Sequence, residues 1–241
     1  MATDSATVAA PRKFYLIDAS VAASYYAPST AKSKTVEDRC KVLFTKDPVG
    51  IRAVFLIPSF AITEVFSVFD KYRWSFKWNS KVKSKKKLTP VRYRDARKRF
   101  HEDIHNGKLL TQCALDRYHI LCGDLISPIN MAYKISRSRK QKRDPKPAST
   151  FDVLLLSMGI WLQKQVGSES FAIVTCDTRM SQVAKRAKSV KLSVGMRGHL
   201  RGIASDLGLQ YGPDVYPAVI DIGVKKKRDL KKLLPEWGSQ L

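Results

Sequence analysis

The sequence predicts an α/β protein, a three-layer α/β/α domain on a mostly parallel central sheet. Three observations carry this. Short continuous apolar runs, FYLI at 14–17, AVFLIP at 53–58 and FAIVTCD at 171–177, read as strands covered on both faces. Each runs directly into a helical stretch, ASVAASYYA, SFAITEVFSVFDKYRW or TRMSQVAKRAK. Strand and helix alternate at both ends of the chain, as parallel crossovers require.

In chain order, residues 1–9 are small and polar and are expected to fray. A strand and a helix follow, then a helix over roughly 34–46, then the second strand. The helix from Ser59, with Ser59 as its cap, spaces Phe60, Thr63, Glu64, Ser67 and Lys71 at helical intervals. Residues 73–88 are a basic loop, and a helix begins after Thr89-Pro90 and stops near Asn106-Gly107. Another helix is expected near 127–138, before a second basic loop at 137–148 whose prolines argue against regular structure. Then come a helix from Phe151 with an apolar stripe, a strand, two helices, and VYPAVIDIG as a last strand. The organisation expected is one domain over 1–223 and a basic tail, helical in part, over 224–241.

Lys plus Arg number 44 against 21 for Asp plus Glu, a formal charge of +23. Such a surplus speaks of partners rather than of fold, and phosphate polymers are its natural counter-charge. No apolar run approaches the ~20 residues of a spanning helix, and no secretory leader is visible. The expectation is a soluble, cytoplasmic protein without a membrane partner. Cys40, Cys113, Cys122 and Cys176 show neither a CxxC pair nor a disulfide framework, and read as reduced thiols.

Against this basic background four acids occupy telling positions. Asp18 and Asp177 each end an apolar strand that leads into a helix, Asp152 lies in the first turn of a helix, and Glu64 sits among Phe60, Ile62, Val65, Phe66 and Phe69. In a parallel sheet the carboxyl ends of the strands share one rim. Each acid also has a plain alternative: Asp18 and Asp177 as helix caps, Ser149 with Asp152 as a capping box, Glu64 as a solvent-facing residue. If they converge, two carboxylates ~5 Å apart repel by roughly 3 kcal/mol at an effective dielectric near 20, and protonation or a bound cation must relieve it. Oxygen donors with few imidazoles suit Mg²⁺ or Mn²⁺. Such ions support in-line displacement at a phosphodiester.

In their order and contexts these residues resemble the PIN-domain nucleases, including VapC-like toxins. The likeness rests on a strand ending in Asp18 with Ser20 two further on, on Glu64 in the helix after the second strand, on the helix-opening TFD with Asp152, and on TCD with Thr175 and Asp177. It spans about residues 14 to 222. It implies a doubly wound α/β/α fold and a metal-dependent ribonuclease that leaves a 5′-phosphate and a 3′-hydroxyl. Asp18, Glu64, Asp152 and Asp177 would hold Mg²⁺ or Mn²⁺, with Ser20 and Thr175 orienting carboxylates or waters. RNA is the implied substrate, with DNA as the alternative. An antitoxin or other regulatory protein and a second copy of the chain are candidate partners. The basic loops, a helical stretch near 196–207 and the lysine-rich tail depart from the toxin pattern and leave the biological role open.

Candidate nucleic-acid contacts are Arg73, Trp74, Lys77 and Trp78 in RWSFKW, the run Lys85, Lys86 and Lys87, and Arg139, Lys140, Lys142 and Arg143 in the second loop. Trp74 and Trp78, one turn apart, serve equally well for packing. HEDIH at 101–105 fits the HExxH zinc pattern, with His119 as a conceivable third ligand, but the helix stop at Asn106-Gly107 argues for two histidines on a last turn. The expected function is a divalent-metal endoribonuclease, with a toxin–antitoxin role in view. The alternative is a basic RNA- or DNA-binding protein whose acids are structural.

Overall fold

A computed structural model of the chain describes residues 12–46, 50–74, 87–138, 147–189, 192–224 and 226–240, with the backbone alone at 133–138. The frayed N-terminus and most of both basic loops expected from the sequence lie outside these residues.

Five strands form one all-parallel sheet: β1 (Arg12–Ile17), β2 (Arg52–Pro58), β3 (Leu110–Cys113), β4 (Phe171–Thr175) and β5 (Ala218–Asp221), in the order β3-β2-β1-β4-β5. The chain walks from β1 outward to β3, then returns to the other side of β1 for β4 and β5. That reversal places the carboxyl ends of β1 and β4 side by side, with Ile17 level with Val174. Crevices at such a switch in strand order are where parallel sheets bind ligands.

The pleat sends alternate residues to opposite faces. Tyr15 and Ile17 join Phe55, Ile57, Val174 and Ile220 in one core, while Leu16, Phe171 and Ile173 belong to the other. The first core is covered by α1 (Ala19–Tyr26), α2 (Lys34–Thr45), α3 (Ser59–Trp74) and α4 (Pro90–Asn106). The second holds α6 (Ser127–Ser138), α7 (Thr150–Val166), α8 (Thr178–Ala187) and α9 (Val194–Asp206), with the short α5 (Arg117–Leu121) beside α7. This is the three-layer architecture the apolar runs predict. Contact is close where α7 crosses β4, since a Cβ on Gly159 would stand 2.6 Å from the Ile173 side chain.

The capping chemistry follows the sequence at several ends. Thr89 accepts from Arg92 N with Pro90 opening α4, and Gly107 takes the left-handed conformation after it, φ 60°. One expectation is corrected. Ser59 does not precede α3 but is its first residue, and its hydroxyl donates to the Cys113 carbonyl at 3.1 Å, tying α3 to β3. β3 itself, LTQC, was not expected as a strand.

The segment after β5 joins the first core. α10 (Lys227–Leu233) and the turn at Pro235–Trp237 bury Leu230, Leu234 and Trp237 while their lysines face out. The Trp237 indole donates to Tyr15 Oη at 3.4 Å, Tyr15 donates to Glu236, and Lys13 pairs with Glu236 at 3.1 Å. Among the described residues no helix is long and apolar enough to cross a membrane.

Candidate active site

Asp18 leaves β1 and stands at the N-cap position of α1, yet among the described residues its side chain caps nothing. It is 8% exposed, and its carboxylate turns across the switch point to β4. There Oδ2 accepts from Thr175 Oγ1 at 2.8 Å and from the Ser20 hydroxyl. Each hydroxyl is itself held by backbone: Ser20 Oγ accepts from Cys176 N at 3.1 Å, and Thr175 Oγ1 from Asp177 N at 2.8 Å. A hydroxyl that donates to one carboxylate while accepting from the chain has its proton direction set. Ser20 and Thr175 therefore orient Asp18 and couple it to the loop carrying Asp177.

The other two aspartates do serve as caps. Asp177 accepts from Arg179 N at 2.8 Å at the start of α8, and Asp152 forms a capping box with Ser149, whose backbone N lies 2.7 Å from its Oδ2. Capping does not separate them from the group, because the four carboxyls feel one another. Burial raises the Asp18 pKa, Ser20 and Thr175 oppose it, and the charges of Asp152 and Asp177 add to it. Glu64, half-buried on α3, is pushed up to about 7 by burial and then by Asp18 and Asp152. Burial likewise raises Asp152 despite its bonds from Ser149, with Asp177 adding its charge. Asp177 goes the other way: burial would raise it, but the Arg179 guanidinium and the Lys32 charge hold it below the usual range.

Arg179 pairs with one member of the group. Its Nε lies 3.2 Å from both Asp177 oxygens and its Nη2 2.5 Å from Oδ2, so a cation already grips this carboxylate. Asp152 is likewise held by Ser149, and among the described residues no group of three His, Cys, Asp or Glu stands ready to hold a metal ion. In donor chemistry the four still suit a hard divalent cation, being all oxygen, partly desolvated and mutually repelling.

Burial, with this repulsion added to it, has a measurable sign. The folded Glu64 pKa of about 7 exceeds the ordinary 4.5, so between these values the native state binds more protons than the unfolded one. Stability in EDTA should therefore be fullest at low pH within that window and decline as pH rises from about 4.5 to about 7, with Asp18 and Asp152 shifted in the same direction. Glu64→Gln should flatten the decline in thermal midpoint measured across this range. An equal slope in the variant would place the effect elsewhere.

Of the expected nucleic-acid contacts, Lys77, Trp78, Lys85, Lys86, Arg139, Lys140, Lys142 and Arg143 lie outside the described residues. Lys87 is exposed beside Leu88, whose backbone N bonds Tyr72 O at 3.2 Å and closes the base of the first basic loop. Trp74 is 59% exposed; Arg73 lies 4.2 Å over its ring and Tyr93 packs against it edge-on at 6.2 Å. Arg73 and Trp74 lie nine and ten residues along α3 from Glu64, about 14–15 Å at 1.5 Å each, so they are not part of the carboxylate group. His101 and His105 stack 6.2 Å apart, and no third ligand joins them among the described residues. His119 is buried, its Nδ1 accepting from Asp116 N at 3.0 Å.

Lys32 and Arg179 were not expected at the site. Lys32 reaches it by donating to the Cys176 carbonyl from a loop 144 positions away in sequence, which no local pattern signals. Arg179 lies two residues after Asp177, and its place in the first turn of α8 was the available hint. Asp221, buried at the end of β5 level with Thr175, was also not singled out; its Oδ1 accepts from Gly223 N at 2.8 Å and closes the turn. No protein-family model matches the chain, and no curated protein matches it either.

Proposed function

We propose that this chain is a divalent-metal-dependent endoribonuclease of the PIN type, acting in the cytoplasm, with control by an antitoxin-like partner as the role to test first. The observation that carries the reading is Asp18. A desolvated carboxylate that caps nothing, oriented by two hydroxyls and surrounded by three further acids at the switch in strand order, is costly to the fold and suited to chemistry.

Asp18, Glu64, Asp152 and Asp177 would hold Mg²⁺ or Mn²⁺, which when bound supplies charge neutralisation and electrophilic activation at the phosphodiester. Ser20 and Thr175 keep the Asp18 oxygens aimed. Lys32 and Arg179 place positive charge at the β4 side of the rim, where substrate phosphate oxygens would lie. In the reaction a water oxygen bonds to phosphorus as the bond to the 3′ oxygen breaks. The leaving oxygen takes a proton, giving the 5′-phosphate and 3′-hydroxyl. The surplus of 44 cationic over 21 anionic residues draws the polyanion to a site that is itself acidic.

The binding-protein reading has one observation in its favour, the Arg179–Asp177 ion pair that occupies a carboxylate the metal would need. An assay separates the two. Purified protein with end-labelled RNA should cleave in Mg²⁺ or Mn²⁺ and stop on addition of EDTA, while a parallel DNA substrate reports preference. Tight, salt-sensitive binding with no cleavage of varied RNAs would leave the binding reading standing and remove the nuclease one.

A further inference from the structure

Two aromatic rings at the edge of the carboxylate group have no part in the chemistry above. Phe151 is the second residue of α7, directly before Asp152; Phe60 is the second residue of α3, one turn before Glu64. The rings stack with centroids 5.8 Å apart and planes 12° apart. Phe60 packs against both cores and cannot shift freely, whereas Phe151 is 47% exposed. A single exposed apolar side chain is ordinary on a protein surface. A flat ring backed by a second ring, placed by the same two helix starts that place Glu64 and Asp152, is a more particular arrangement.

Strand order gives the rim a polarity. Phe60 follows β2 and Arg179 follows β4, with Asp18, directly after β1, between them. Cationic Arg179 lies on the β4 side and the aromatic pair on the β2 side, with the Asp18 carboxylate between them. A nucleotide offers the matching layout, an anionic phosphate joined to a base with a π face. Stacking on aromatic side chains tolerates any base but needs an uncovered face, which a base inside a continuous duplex lacks.

The geometry points to Phe151, backed by Phe60, as the surface on which an unpaired base beside the scissile phosphate stacks, so that this ring determines selectivity for unstacked nucleotides. The inference rests on the nucleic-acid-cleaving reading, and its test is by binding so that the two fail separately. The full-length Asp18→Asn chain in EDTA is titrated with oligoribonucleotides carrying 2-aminopurine at successive positions. One position should show quenched fluorescence on binding. Phe151→Leu, which keeps apolar area without the ring, should remove that quench and weaken binding about tenfold. Phe151→Tyr should keep both, and an abasic residue at the quenched position should make the Leu variant and its parent bind alike. Because Phe151 is exposed, unchanged far-ultraviolet circular dichroism is expected for each variant. The proposal is overturned if Phe151→Leu retains the quench and the affinity at every position, or if the parent binds none of the probes. Loss of the quench in Phe151→Leu together with no cleavage by the unsubstituted chain would keep the stacking surface and remove the nuclease.

Discussion

Asp18→Asn is expected to lower metal-dependent RNA cleavage by about a thousandfold or more, equivalent to roughly 4 kcal/mol of transition-state stabilisation, while leaving the fold as stable as before or more so. The two effects have one source. Asn is nearly isosteric and can present its carbonyl oxygen to Thr175 and Ser20, the two donors that now meet Oδ2, so the local hydrogen bonds survive. What disappears is a buried negative charge whose pKa burial has raised and which Asp152 and Asp177 repel. A carboxyl raised in the folded state costs stability above its ordinary range, so the variant should gain most at neutral and higher pH. Site residues held at a cost to stability commonly behave in this way. A second readout does not depend on turnover. Mg²⁺ or Mn²⁺ should raise the melting temperature of the unsubstituted chain by mass action and raise that of Asp18→Asn much less. A variant that cleaves at the original rate, or that loses activity only because it has unfolded, would sink the assignment of Asp18.

Trp237→Ala should destabilise the chain by about 3–5 kcal/mol, the range for emptying a buried aromatic site, and lower the thermal midpoint by roughly 10 °C. Trp237 is 1% exposed, lies 6.5 Å from the Phe55 ring, and donates to Tyr15 on β1. Its loss empties a pocket under the strand that carries Asp18 and loosens the Glu236 contacts with Tyr15 and Lys13. Deleting residues 225–241 should cost more still, since Leu230 and Leu234 leave the same core. Urea unfolding with the two variants measures this. A truncated chain with the original midpoint would show that the C-terminal segment is an appendage after all.

The legible parts of the fold were those with a strong local signal. β1, β2 and β4 stood out because strands covered on both faces must be apolar at successive positions, as FYLI, AVFLIP and FAIVT are. The helices α4 and α7 were marked by Thr89-Pro90, Gly107 and the Ser149–Asp152 box, chemistry local to a few residues. β3 was missed because it is a four-residue edge strand with only Leu110 fully buried, and LTQC carries neither a run nor a clear alternation. The C-terminal segment was hidden by its lysines, which mask the spacing of Leu230, Leu234 and Trp237.

At the candidate site the amino-acid order by itself determined which acids end or begin elements, because such positions follow from runs, caps and turns that neighbours in sequence define. It also named Ser20 and Thr175 beside them. Tertiary structure alone decided that β1 and β4 lie side by side, since strand order depends on how crossover helices pack. It alone separated Asp18, which caps nothing, from Asp177, which caps and still repels, because both end apolar strands that lead into helices and only Asp18 turns to a partner on the neighbouring strand, Thr175. Arg179 on Asp177, Lys32 on the Cys176 carbonyl and Phe151 on Phe60 are contacts set by side-chain direction. Except where partners are near neighbours, as Asp177 and Arg179 are, direction is fixed only once distant elements have packed.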